Sequence, residues 1–229
     1  MILIIHLGDI TKINGAEVPL VDVITGGSPC QDLSVAGLRK GLAGERSGLF
    51  MEQMRIVKEM RNESRKQLEK SGTVFTVRDI KPRYMVWENV VGAYSSGHPS
   101  GADFRAVLEE IARVVVSEVP SIPIPEQGWP LAGCIEGVGD EGMPFSICWR
   151  THNAQYWGKT VIDNSGRVVK PGTPQRRRRI ALVADFGGNS APEILFEPES
   201  MSGYLKSSQE EREGASSSTG EGFDESGEE

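Results

Sequence analysis

Cys30 and Glu88 are the two side chains best placed by type and context to do chemistry. Cys30 follows the turn Gly26-Gly27-Ser28-Pro29 and precedes a helix start. A helix N-terminus there would favour the thiolate, the nucleophilic form of cysteine. Glu88 closes the apolar run Tyr84-Met85-Val86-Trp87 and can give a proton or a hydrogen bond to a bound heterocycle. Arg176-Arg177-Arg178-Arg179 concentrates positive charge suited to a polyanion. Taken singly, each has a plainer explanation. Cys30 would be a small apolar residue in a turn, Glu88 a solvated strand end, the arginines a solvated basic stretch. His6, His98 and His152 show no ligand spacing, so no metal site is expected.

Alternating strands and helices must hold these groups. Residues 1–6 read as a buried strand, and Val18–Ile24 as a second that runs straight into the Thr-Gly-Gly-Ser-Pro loop. Helical spacing of apolar residues covers 48–65 and again 104–116. Residues 84–86 form a short buried strand between the two helices. This order predicts an α/β fold with one mostly parallel sheet. In such sheets ligands lie at the carboxyl ends of strands, where Cys30 and Glu88 both fall. Residues 117–145, rich in Pro and Gly, read as loop, and 145–149 and 180–183 as further strands. Asn-Ser-Gly between two β-prone runs predicts a hairpin over 159–170.

With 229 residues, 38% of them apolar, the chain can hold one ordinary domain and a tail. The segment from Ser207 to Glu229 has eight carboxylates against Arg212 alone, so it carries the whole formal charge of −7. Residues 1–206 are neutral, which leaves the arginine run as the local attraction for an anion. From about Phe196 the Ser/Gly/Glu composition predicts disorder, and the division is 1–196 as domain and 197–229 as tail. Three widely spaced cysteines (Cys30, Cys134 and Cys148), with no C-x-x-C pair, argue against a disulfide framework or zinc ribbon. The apolar opening is too short to span a membrane. The expected location is the cytoplasm.

The strings around these residues form an ordered series: Gly8-Asp9-Ile10-Thr11, Gly26-Gly27-Ser28-Pro29-Cys30-Gln31, Arg46-Ser47-Gly48-Leu49-Phe50, Glu88-Asn89-Val90 and Gln175-Arg176-Arg177-Arg178-Arg179. In order and spacing the series resembles the motifs of the DNA (cytosine-5)-methyltransferase family, over residues 7–187. The resemblance implies a Rossmann-like methyltransferase fold, with S-adenosylmethionine as cofactor and double-stranded DNA as partner. It implies that Cys30 adds to position 6 of cytosine, so that position 5 can take a methyl group. Glu88 would hold and protonate ring N3, and Arg177 and Arg179 would contact the base carbonyl and keep the site's geometry. Of the family's cofactor contacts, Asp9 near the adenine and Leu49 through its backbone carry over. The target base must be flipped out of the duplex. Asp32–Glu45 then resembles the mobile loop that closes over DNA, with Ser34, Arg39, Lys40 and Arg46 as phosphate contacts, although Arg39 and Lys40 also suit an ordinary solvated loop.

The chain departs from the family in lacking Phe-x-Gly-x-Gly and the ribose-binding acid that follows it. Only a polar tail stands where a target-recognition domain would follow. The expectation is therefore an incomplete catalytic domain, truncated at both ends, that binds the cofactor weakly by itself. Two functions follow. One is DNA cytosine methylation in a bacterial or phage-infected cell, within a restriction-modification or phage system. The other is a silent fragment, or one half of a split enzyme working with a complementing methyltransferase fragment. Methylation of RNA cytosine ranks below both.

Overall fold

The computed structural model describes residues 4–28, 48–154, 161–162, 168–169 and 176–196. Its centre is a five-stranded sheet. β1 is Val23–Gly26, β2 Tyr84–Val90, β3 Ala132–Val138, β4 Pro144–Asn153 and β7 Arg178–Asp185, in the order β1-β2-β7-β4-β3. Two short strands, β5 (Val161–Ile162) and β6 (Val168–Val169), pair antiparallel as a separate ladder, bearing out the hairpin. The helices are α1 (Gly48–Ser71), α2 (Ala102–Ala112) and the short α3 (Ala191–Leu195).

α1 forms because Phe50, Met54, Val57 and Met60 recur at helical spacing and are all buried. It ends where Gly72 turns left-handed, with φ 68°. At 24 residues it is about 36 Å long, enough to return the chain from β1 to a parallel β2. Together with Phe104, Val107, Leu108 and Ile111 of α2, its apolar stripe covers one face of the sheet, made by Met85, Trp87, Ile147, Trp149, Leu182 and Ala184. The centre of that layer is aromatic. Trp87, Phe104, Trp129 and Trp149 stand 5.3–6.4 Å apart between ring centroids, a range in which edge-on packing adds to burial.

The mostly parallel sheet is corrected. Only β1–β2 is parallel, and the β2–β7, β7–β4 and β4–β3 pairings are antiparallel. The cause is the placement of β7. β1, β2 and β4 run one way, but β7 inserts between β2 and β4 running the other way. β3 and β4 are joined by the turn 139–143, too short for a parallel crossover.

The reading of 117–145 as all loop is also corrected, since β3 lies within it. Its glycines are strand residues. Gly133 and Gly137 face Trp149 and Phe145 across the ladder, and a Cβ on Gly137 would come within 2.7 Å of the Phe145 ring. The glycines give those rings room to lie over the backbone. The same register sets Cys134 opposite Cys148, and the two form a disulfide, contrary to the expectation from their spacing.

The remaining differences are of extent. The strand expected at 18–24 is Val23–Gly26, because Asn14 organises a turn through Glu17. Residues 4–6 are not a strand, and Ile4 and Ile5 are 86% and 59% exposed, with no strand beside them among the described residues. The other elements run longer than 84–86, 48–65, 145–149 and 180–183, and the second helix spans Ala102–Ala112 rather than 104–116. Among the described residues no helix is long and apolar enough to cross a membrane.

Candidate active site

Glu88 lies inside β2 rather than beyond its end, opposite Ala181 of β7. Arg179, opposite Val90, is its diagonal neighbour on the sheet face away from α1 and α2, a position from which long side chains meet. Arg179 Nε donates to Glu88 Oε1 at 2.8 Å, and Glu88 remains 53% exposed. The pair is therefore a preset polar couple open to a ligand. Gly27, the next residue after β1, closes in on it. A Cβ there would lie 3.3 Å from Glu88 Oε2, so the carboxylate sits close above backbone three residues before Cys30. Cys30 itself, with Ser34, Arg39, Lys40 and Arg46, lies outside the described residues. Arg177 is exposed, and its carbonyl accepts from the Ala154 amide. Arg150 and His152 share the face of Arg179 on β4. Burial and the nearby Arg150 push the His152 pKa down.

Two residues that sequence reasoning gave no role hold the approach to Cys30. Buried Asn89 donates from Nδ2 to the Ser28 carbonyl at 2.9 Å, and Trp87 Nε1 donates to Ser28 Oγ at 3.2 Å. Both lie on the helix-covered face, where a polar side chain must find a partner. A buried Asn at a strand position is the signal that marks such a residue.

The second half of the site lies between β1 and α1. A cavity of about 220 Å³ is lined by Ile10, Ile24, Thr25, Gly26, Gly27, Ser28, Leu49, Gln53 and Ile56. Leu49 of the expected cofactor contacts is among them. Asp9 precedes Ile10 and caps the turn Ile10–Lys12, accepting from the Thr11 amide (3.0 Å) and hydroxyl (2.9 Å) through Oδ1. Those two donors hold its pKa below the usual carboxylate range. This loop is fixed to α1. Arg55 donates to the carbonyls of Ile13 and Ile10, and Glu59 accepts from the Gly15 amide at 2.7 Å. Among the described residues no cluster of His, Cys, Asp or Glu could hold a metal ion.

Residues 3–114 match the family model for C-5 cytosine-specific DNA methylase. Named relatives extend further along the chain. A DNA N-6-adenine-methyltransferase of Escherichia phage P1 is 30% identical over 97% of this chain and 28% of its own length. Type II methyltransferase M.BsuFI of Bacillus subtilis is 34% identical over 80% of the chain and 29% of its own. Type II methyltransferase M1.ScrFI of Lactococcus lactis subsp. cremoris is 48% identical over 45% and 21%. The chain thus spans less than a third of the length of each. Residues 3–114, which bring together β1, α1 and the Glu88 strand, are thus the part of the chain that is similar to the C-5 cytosine-specific DNA methylase family.

Proposed function

We propose that this chain supplies the base-binding and nucleophilic part of a DNA (cytosine-5)-methyltransferase of Rossmann-like fold. The observation that carries the proposal is the Glu88–Arg179 pair set over Gly27. Cys30 adds as thiolate to C6 of a flipped cytosine while N3 takes a proton at Glu88, which makes C5 an enamine-like carbon. Bound S-adenosylmethionine supplies an electrophilic methyl group for that carbon. Loss of the C5 proton to water, return of the N3 proton to Glu88 and expulsion of the Cys30 thiolate restore the ring. Arg179 holds the Glu88 carboxyl toward N3 and presents a cation to the base carbonyl, with Arg177 beside it. Ser34, Arg39, Lys40 and Arg46 contact DNA phosphates.

The cavity beside Leu49 and Asp9 suits part of the cofactor. Its apolar walls (Ile10, Ile24, Ile56) and polar rim match a flat heterocycle. Its volume lies below the roughly 300 Å³ at which complete ligand sites begin. Partners are double-stranded DNA and, for full activity, a complementing methyltransferase fragment. The acting compartment is the cytoplasm, with the DNA.

A second reading rests on the phage P1 relative, whose name specifies adenine N-6. Methylation of an exocyclic amine requires no thiolate, so Cys30 would then be idle. Nucleoside analysis by mass spectrometry of DNA treated with the chain and cofactor distinguishes the two. The expected product is 5-methylcytosine, and N6-methyladenine alone would overturn the proposal.

Arg179→Met tests the role of the pair. An ion pair this exposed contributes less than about 1 kcal/mol to folding, whereas removing a preorganised donor costs a hundredfold or more in rate. Methyl transfer should therefore fall by about two orders of magnitude with the urea midpoint almost unmoved. A parallel loss of stability would reassign Arg179 to the fold.

A further inference from the structure

Gln53 is 6% exposed, and its Nε2 has no hydrogen-bond partner among the described residues. It stands on α1, where helical spacing turns it inward, and it lines the cavity between α1 and β1. Its amide lies flat across Gly26, so close that any Cβ at that position would collide with it. Gly26 is the last residue of β1. Glycine is thus required for the amide to reach the cavity, and the amide is held there by packing alone.

A buried donor without an acceptor is destabilising, and native proteins keep few of them. An apolar residue such as Met would fill the same space at no such cost. We propose that Gln53 is a further ligand-binding residue, whose Nε2 donates to an acceptor atom of a flat heteroaromatic ring, the nucleoside part of the cofactor, seated between Ile10 and Leu49. The inference rests on the methyltransferase reading for the identity of the ligand, and on the orphaned donor for its position. Neighbouring Ile24 and Ile56 offer the ring apolar walls but no hydrogen bonds. Gln53 therefore adds polar selection inside the cavity, where Asp9 acts from its margin.

The test uses the full chain labelled with ¹⁵N and titrated with adenosine and with S-adenosylhomocysteine to millimolar concentration. The Gln53 side-chain amide signals are assigned by their absence in Gln53→Met. Those signals should move together with the backbone amides of Ile10 and Leu49. Gln53→Met should bind either probe roughly five- to tenfold more weakly, the value of one neutral hydrogen bond. Without ligand the same variant should melt about 2–4 °C higher, because the orphaned donor is gone. A purely structural glutamine would give the opposite sign, and a lowered Tm would overturn the proposal. Movement at Ile10 and Leu49 with the Gln53 signals stationary would overturn it while leaving the cofactor reading intact. No movement at any of the three with either probe would bring down both.

Discussion

DNA carrying 5-fluorocytosine is expected to become covalently attached to this chain through Cys30 when S-adenosylmethionine is present, with the complementing fragment added if the chain alone is silent. The attachment is expected to vanish in Cys30→Ser. Fluorine cannot leave C5 as a proton does, so after methyl transfer no elimination releases the sulfur and the adduct persists. Serine cannot substitute, because its hydroxyl is not ionised near neutral pH and no general base has been assigned to it. Cys134→Ser and Cys148→Ser should leave the adduct in place, since those two sulfurs are bonded to each other. The readout is a DNA-dependent shift on a denaturing gel. An adduct that survives Cys30→Ser would identify a different nucleophile. Glu88→Gln should slow adduct formation without abolishing it, because an amide can still bond to N3 but cannot supply the proton.

The largest effect on stability is expected at the other end of the sheet. Asp185 is fully buried at the end of β7 and takes a two-pronged bond from Arg83, with both N···O distances 2.9 Å. The Ser190 hydroxyl and the amides of Gly187 and Ser190 complete its shell. Burial pushes its pKa up, but these donors outweigh burial and hold the carboxyl below its usual range. Asp185→Ala removes the buried acceptor of five hydrogen bonds and leaves the Gly187 and Ser190 donors without it, at a cost of about 3–5 kcal/mol. For a chain of this size that corresponds to a fall in Tm on the order of 10 °C. Because the folded pKa is depressed, the contribution of Asp185 is present above the unfolded value near 3.9. It is lost as pH falls through the lower folded value. In Asp185→Ala the acid-unfolding limb should flatten accordingly. A loss below about 1 kcal/mol would show that the network does not hold β7 in place. Asp185 lies four residues along the ladder from the partner of Glu88, about 13 Å away, so the effect should not touch the chemistry directly.

The β1–α1–β2 unit was legible because it rests on two local signals. One was the apolar periodicity of α1, and the other the short strings that end or begin strands. What was not legible depended on register between distant segments. Nothing local in Ala132–Val138 announces a strand, since its glycines look like loop residues until Trp149 and Phe145 are laid across them. The Cys134–Cys148 bond was missed for the same reason, because spacing in sequence says nothing until β3 faces β4. The direction of β7 was invisible too. A run such as Ile180–Val183 carries the same residues whether it pairs parallel or antiparallel. Gln53 falls on the inward stripe of its helix by spacing, but only its closeness to Gly26 shows that the amide reaches the cavity.

The clamp from Arg55 and Glu59 to residues 10–15 has a consequence for the order in which the molecule opens. Among the described residues the segment bearing Asp9 has no strand partner, and it is fastened to one helical turn through two carbonyls and one amide. Its persistence is therefore borrowed from α1. The Gly15 amide, bonded to Glu59 at 2.7 Å, should exchange with deuterium only as often as that turn of α1 loosens, and not at the rate of an ordinary surface loop. Whatever stiffens α1 slows it, and whatever frays α1 releases Asp9, Ile10 and Leu49 together as one cooperative unit.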